Sequence, residues 1–310
     1  MSLGRTFTLP TGKQIPALGF GTFASEGSPG ETYNAVLCAL RTDYRHLDCA
    51  WFYNNESEIG SAIRDFLRER SDVRREDLFI TTKVWNHLHE PDEMSWSFEQ
   101  SLEKLGLEYV DLYLIHWPIA AERGEDWEPK IGPDGKYIIK KSLTEDPAPT
   151  WRAMEELYTA GRARAIGVSN WTIPRLQHLL KVEIHPFLPN THLLGFCKAN
   201  NILLCAYSPL GLQGQVPTTG ERVSENPTLI EAASKGRHTL AQTLIAWGIK
   251  RGYAVIPKSG NPGRIASNFE DYEMGEEEFD MIKRVAEGRA TRFVNMRNTF
   301  GYDVWANGEE

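Results

Sequence analysis

Four residues that could together polarise a carbonyl and hand it a proton sit near the ends of apolar runs. Asp48 and Tyr53 follow the second strand-like run, Lys83 closes the third, and His116 closes the fourth. A tyrosine phenol has an ordinary pKa of about 10, too high for an efficient acid near neutral pH. A neighbouring lysine ammonium lowers it, and a buried aspartate keeps that ammonium charged and oriented. A histidine on the next strand can donate a hydrogen bond to a carbonyl oxygen and stabilise the developing alkoxide. Singly, each residue has a duller reading as a core ion pair, a hydrogen-bonded core histidine or packing. Spread over three successive strands whose bodies are almost purely apolar, they suit reduction of an aldehyde or ketone, with Tyr53 as proton donor. A hydride donor is then required, and the sequence shows no metal site to replace it.

The elements that must position them follow from hydrophobic period. Strand-like runs occupy 14–21, 43–50, 77–84, 109–117, 163–170, 181–187, 201–208 and 253–259. Most are apolar on both faces, as parallel strands covered on both sides require. Between them lie amphipathic patterns such as Tyr33, Val36, Leu37, Leu40 and Ile59, Ala62, Ile63, Phe66, Leu67. Trp151, Met154 and Tyr158 run toward Gly161, a helix C-terminus signal, and Leu240, Leu244 and Trp247 follow later. Eight strands alternating with helices predict an α/β fold, a closed (β/α)8 TIM barrel spanning 1–310 as one domain. FTLPTGKQIP, turning at Thr11-Gly12, predicts a hairpin plugging the barrel floor. Three long stretches, 119–146, 211–227 and 289–310, are expected to build the mouth, because barrel loops at the strand C-termini carry function.

Composition narrows the class. The chain has 310 residues, 41% hydrophobic and 25% charged, with 34 Lys+Arg against 42 Asp+Glu for a net charge of −8. An acidic chain without a Lys/Arg block argues against nucleic-acid binding. No apolar run approaches the roughly 18 residues of a membrane span, and the first residues lack a signal-peptide core, so a cytoplasmic protein is expected. Cys38, Cys49, Cys197 and Cys205 form no CxxC pair and lie in apolar runs, predicting reduced, buried thiols. Nothing in the sequence demands an oligomer, and a monomer acting on a small-molecule carbonyl or polyol is expected.

Several segments, in order along nearly the whole chain, resemble one family: LGFGT (18–22), YRHLDCAWFYNNESEIG (44–60), TTKVWN (81–86), LYLIHWP (112–118), IGVSN (166–170), VEIHPFLP (182–189), AYSPLG (206–211) and IPKSGNPGRIASNF (256–269). Together they resemble the aldo-keto reductase superfamily. The segments 124–142, 217–229 and 291–305 look most like its fungal NADP-dependent glycerol dehydrogenases and glyceraldehyde reductases. The resemblance implies an NADPH-dependent, reversible carbonyl reductase with Asp48, Tyr53, Lys83 and His116 as its catalytic tetrad. It places Ser169 and Asn170 at the nicotinamide carboxamide, Tyr207 against the ring, and Ser208, Pro209, Leu210 and Gly211 along the pyrophosphate. Lys258, Ser259 and Arg264 would hold the adenosine 2′-phosphate, with Asn268 near adenine. A Lys and an Arg six residues apart at a helix start suit a phosphate better than a ribose hydroxyl. Ser267 stands where relatives often carry Glu, and Leu212 where a small polar residue is common. Phe23, Phe52, Trp85 and Trp117 would wall an apolar mouth, which favours small hydroxylated carbonyls without choosing among them.

Two other patterns compete. Gly19 to Ala24 matches GxGxxA with Asp43 or Asp48 about 20 residues on, the dinucleotide fingerprint of an open sheet, but the helix starts too late to meet a phosphate. His87 and His89 could ligate a metal and make the barrel a hydrolase. A catalytically silent, cofactor-binding barrel is the third alternative. It draws weight from the segment between Asn170 and Val182, only 11 residues long. Ile173, Leu176, Leu179 and Leu180 predict a helix there, whereas a βαβ crossover needs roughly 10–12 residues with its turns. Related reductases carry a longer connection ending in an Asn-Gln pair whose Gln binds the carboxamide, and Lys181 replaces that Gln. The expectation is a sixth strand truncated or displaced, with one nicotinamide anchor lost.

Overall fold

The structure is a computed structural model that describes residues 2–24, 28–173, 179–211, 220–302 and 304–305. Strands β1 (Thr6–Thr8) and β2 (Gln14–Pro16) form the expected hairpin, and its tip is closed by hydrogen bonds between Leu9 and Lys13 and from Gly12 to Leu9. Leu9 and Ile15 pack on Phe79, Leu112 and Ala165, at the starts of barrel strands, so the hairpin does cover the barrel floor.

The barrel strands are β3 (Phe20–Gly21), β4 (His46–Asp48), β5 (Phe79–Val84), β6 (Leu112–Ile115), β7 (Ile166–Ser169), β8 (Leu179–Glu183), β9 (Leu204–Tyr207) and β10 (Ala254–Ile256). Each pairs in parallel with its neighbour in chain order. A bridge between Leu18 and Val255, with hydrogen bonds from Gly19 to Val255 and from Val255 to Ala17, closes the sheet on itself. The run at 14–21, expected as one strand, is divided between the hairpin and β3. The seam explains the glycines of the apparent dinucleotide fingerprint. A Cβ on Gly19 would lie 2.5 Å from His46 Nδ1, and one on Gly21 would lie 3.1 Å from the Ile256 carbonyl oxygen. These glycines let β3 pass close to its neighbours, and helix α1 (Glu31–Arg41) begins ten residues after Gly21.

The outer layer comprises α1, α2 (Glu56–Glu69), α3 (Pro91–Leu105), α4 (Lys141–Glu145), α5 (Ala148–Thr159), α6 (Thr191–Ala199), α7 (Pro227–Gly236), α8 (Leu240–Arg251), α9 (Pro262–Phe269), α10 (Glu276–Ala286) and the short α11 (Arg297–Phe300). Their apolar stripes face the barrel; in α2 that stripe is Ile59, Ala62, Ile63 and Phe66, all buried. Caps fix the helix starts: Thr239 and Gln242 form a reciprocal capping box on α8, and Asn261 accepts the Arg264 amide at α9. Among the described residues no helix is long and apolar enough to cross a membrane.

The sixth barrel strand corrects the expectation of truncation, although it occupies Leu179–Glu183 rather than the expected 181–187. β8 is five residues long, longer than β7 or β9, and is paired on both sides: Ser169 stands opposite Lys181, and Glu183 opposite Tyr207. Leu179 and Leu180, expected in a helix, are strand. Their apolar side chains satisfy either period, and the sheet's unpaired edges on β7 and β9 decide the outcome. The shortage of residues falls on the connection instead, where nine residues (170–178) join β7 to β8. The remainder of the expected helix, at 174–178, lies outside the described residues. Three of the four cysteines are buried as expected, but Cys38 is half-buried on the flank of α1; none is disulfide-bonded.

Candidate active site

Strand ends bring the four proposed chemical residues together. Asp48 is the last residue of β4, where its carbonyl oxygen accepts the Thr22 amide at 3.2 Å and hydroxyl at 2.8 Å. Tyr53 follows on a single helical turn, Trp51–Tyr53, that ends at Asn54 in a left-handed conformation. Lys83 lies near the end of β5, and the His116 amide extends the β6 ladder to Val84 at 3.2 Å.

Lys83 is wholly buried. Its Nζ lies 3.0 Å from Asp48 Oδ2, donates to the Cys49 carbonyl, and stands 3.4 Å from the Tyr53 hydroxyl oxygen. An ammonium taken out of water requires an opposed charge and further acceptors, and Asp48 and Cys49 supply them. An ammonium at that distance could stabilise negative charge on the Tyr53 oxygen if a proton left it. The His116 ring meets Tyr53 edge to face at 5.7 Å between centroids, and Trp85 at 4.9 Å. A carbonyl oxygen between the Tyr53 hydroxyl and the His116 ring would meet two possible donors beside a fixed cation.

A second polar cluster adjoins it. Ser169 ends β7 and Asn170 follows it, both almost fully buried, and Asn170 adopts φ 66°, a conformation asparagine tolerates better than most residues. Asn170 Nδ2 donates to the His116 carbonyl at 2.9 Å, and its Oδ1 accepts the Tyr207 hydroxyl at 2.7 Å. Burial pushes the Tyr207 phenol well above its ordinary pKa, so it remains a neutral donor. The chain then turns at Ser208, whose carbonyl accepts the Gly211 amide, while Leu210 packs on the core. The position expected to be unusual, Leu212, lies outside the described residues.

A third cluster lies past β10. Ser259 Oγ accepts the Asn261 amide at 3.1 Å and Arg264 Nε at 3.4 Å, at the N-terminus of α9. Lys258 is exposed beside it, 4.0 Å from Glu31, and Asn268 is buried further along α9. Two cations, a hydroxyl and a helix N-terminus form a donor set that fits a phosphate group. Ser267 faces α8, where its carbonyl accepts Gln242 Nε2 at 2.9 Å.

The expected mouth is present in part. Phe23 is 47% exposed and packs edge-on against Tyr53; Phe52 is 38% exposed and stacks on Trp85 at 3.7 Å. Trp85 and Trp117 are nearly covered, because Phe300 of the C-terminal tail packs on both. Sequence reasoning missed the residue that joins these pieces. Tyr137, on the loop after β6, accepts the Trp85 indole N–H at 3.3 Å, packs on Phe300, and donates its amide to Thr299. An isolated tyrosine in a charged loop gives no periodic signal that would mark it. Of the two histidines of the hydrolase alternative, His87 serves that same loop. His87 Nε2 lies 2.7 Å from the Trp127 carbonyl, and His89 is buried beside it.

Comparison with known proteins bears on the same site. The model of the aldo/keto reductase family matches residues 17–287. The chain is 60% identical to the glycerol 2-dehydrogenase (NADP(+)) of Hypocrea jecorina, over 98% of this chain and 99% of that one. It is 37% identical to the D/L-glyceraldehyde reductase of the same organism, over 93% and 89% of the two chains. Among solved structures, the aldose reductase of Schistosoma japonicum superposes with a TM-score of 0.84 at 32% identity, covering 96% of this chain and 97% of that one.

Proposed function

Because the chain belongs to the aldo/keto reductase family, we propose that it reduces small hydroxylated aldehydes and ketones such as glyceraldehyde with NADPH, reversibly, so that it also oxidises the corresponding polyols. The observation that carries this reading is the buried Lys83 ammonium, 3.0 Å from Asp48 and 3.4 Å from the Tyr53 hydroxyl, with the His116 ring beside that phenol.

Tyr53 gives its proton to the carbonyl oxygen. Lys83 stabilises the phenolate left behind, Asp48 holds Lys83 charged and in place, and His116 donates a hydrogen bond to the same oxygen. NADPH, when bound, supplies the hydride that reduces the carbonyl carbon. Ser169, Asn170 and Tyr207 hold the nicotinamide end, Ser208 and Leu210 line the pyrophosphate, and Lys258, Ser259, Arg264 and Asn268 hold the adenosine 2′-phosphate end. Phe23, Phe52, Trp85 and Trp117 exclude water around the reacting carbon. Residues 1–310 act as one barrel domain, as a monomer in the cytoplasm.

The test follows NADPH absorbance with DL-glyceraldehyde in the presence of a chelator. Consumption that needs the aldehyde and survives chelation is the expected result. NADPH binding without turnover would favour the silent barrel, and chelator-sensitive hydrolysis would favour the metal-dependent alternative.

A further inference from the structure

The buried carboxylate of Glu183 has no part in the chemistry above. It ends β8, fully buried, opposite Tyr207 in the sheet. Its Oε1 accepts the Phe293 amide at 2.8 Å and lies 3.0 Å from His185 Nε2, while its Oε2 accepts the Val294 amide at 3.0 Å. A carboxylate held away from water is costly unless hydrogen bonds answer it. Two of its three donors come from a tail segment more than a hundred residues further along the chain. The dependence is mutual, because residues 291–294 belong to no helix or strand of their own. Besides Glu183, they are attached by the Thr291 amide on the Phe187 carbonyl at 2.7 Å, by Phe293 packed on the His185 ring and in the cluster of Phe187, Val223 and Leu229, by Val294 against the aromatic cluster, and by the Arg292 guanidinium over the Trp305 ring.

What this segment carries lies a few residues on. Phe300, the last residue of α11, is 1% exposed and fills the space between Trp85, Trp117 and Tyr137. Trp85 in turn stacks on Phe52 and abuts His116. The Glu183 carboxylate and the aromatic pocket are therefore two of the points that hold the tail, and the second sets the wall of the substrate mouth.

We infer that Glu183 is a positioning residue for carbonyl recognition: by holding the Phe293–Val294 backbone it fixes where Phe300 stands and so sets affinity for the substrate. The inference rests on the carbonyl-reductase reading of the mouth. It does not require Glu183 to touch substrate, cofactor or reacting atoms. A merely structural role in the barrel would change stability and leave the balance between KM and kcat alone.

The test compares wild type with Glu183→Gln, which keeps the side-chain volume but sets an amide N–H₂ against one of the two tail amides. The expected result is a KM for DL-glyceraldehyde raised about tenfold, with kcat and the NADPH Kd within about twofold of wild type. Phe300→Ala should raise KM similarly, and the double variant should add little, since both act through one tail. A readout independent of activity is tryptic cleavage after Arg292 and Arg297, expected to be about tenfold faster in Glu183→Gln. If Glu183→Gln does not fold, Val294→Pro removes one tail donor without touching the barrel and should give the same KM rise. Unchanged KM and unchanged cleavage in a folded variant would overturn the inference, as would an NADPH Kd that moves as far as KM. Faster cleavage in a protein whose wild type reduces no carbonyl would overturn the substrate role, and with it the reading of the site.

Discussion

The strand ends around Lys83 and the aromatic mouth above them are built by different means. Asp48, Lys83 and His116 sit at or beside ladder-paired positions of three adjacent strands, so sheet register alone brings them together. The mouth is assembled from segments far apart in the chain: Phe23 after β3, Phe52 after β4, Tyr137 in the loop after β6, and Phe300 in the tail. Those pieces are joined by single side-chain contacts and a few backbone bonds. The first arrangement is rigid and suits charge stabilisation, which depends on preorganised geometry. The second can vary without disturbing the barrel, which is where selectivity among carbonyls belongs.

Variants at each region should therefore fail in different ways. The largest effect is expected for Lys83→Met, with kcat down about a thousandfold and NADPH binding nearly retained. It also strands the Asp48 charge, so activity must be taken per folded molecule, by near-UV circular dichroism. A kcat within tenfold of wild type would remove the ammonium from the chemistry. Next, Lys258→Ala should weaken NADPH about tenfold with little change for NADH, read by fluorescence titration. Equal losses for both nucleotides would refute the phosphate assignment. A smaller effect is expected at the mouth. Tyr137→Phe loses one hydrogen bond to Trp85 and should raise the carbonyl KM about threefold at unchanged kcat; a kcat loss instead would erase the distinction between the two regions.

The subtlest expectation concerns how the loop is attached. Burial lowers the pKa of His87 to about 4 and of His89 to about 3, from the ordinary 6.5. Below pH 6.5 an unfolded chain binds these protons while the folded protein does not. Stability from this source is therefore complete above pH 6.5 and is lost as the pH falls toward about 4 for His87 and about 3 for His89. Tm of the wild type should decline across that window, and that of a His87→Gln, His89→Gln variant should decline less steeply. Parallel slopes would contradict the assignment.

What could be read from sequence follows the same division. The clustering of Asp48, Tyr53, Lys83 and His116 was legible because polar residues at the ends of apolar strands are conspicuous against the strand bodies. The barrel was legible from the alternation of the two periods. The sixth strand was misjudged because Leu179 and Leu180 fit a helix and a strand equally, and only the edges of β7 and β9 decide between them. Gly19 and Gly21 imitated a nucleotide fingerprint while serving the barrel seam. Tyr137 as a mouth residue and Glu183 as a tail anchor were illegible, because their partners lie 52 and 110 positions away and no local pattern records such a pairing.

The central claim, that Tyr53 supplies the proton at a site whose cofactor binding is separate, is tested by one pair of numbers on one variant. For Tyr53→Phe, kcat for NADPH-dependent reduction of DL-glyceraldehyde and the NADPH Kd should be measured on the same preparation. Turnover should fall by about a thousandfold or more while Kd stays within about twofold, because the substitution deletes a proton donor and little binding surface. Turnover close to wild type would contradict it.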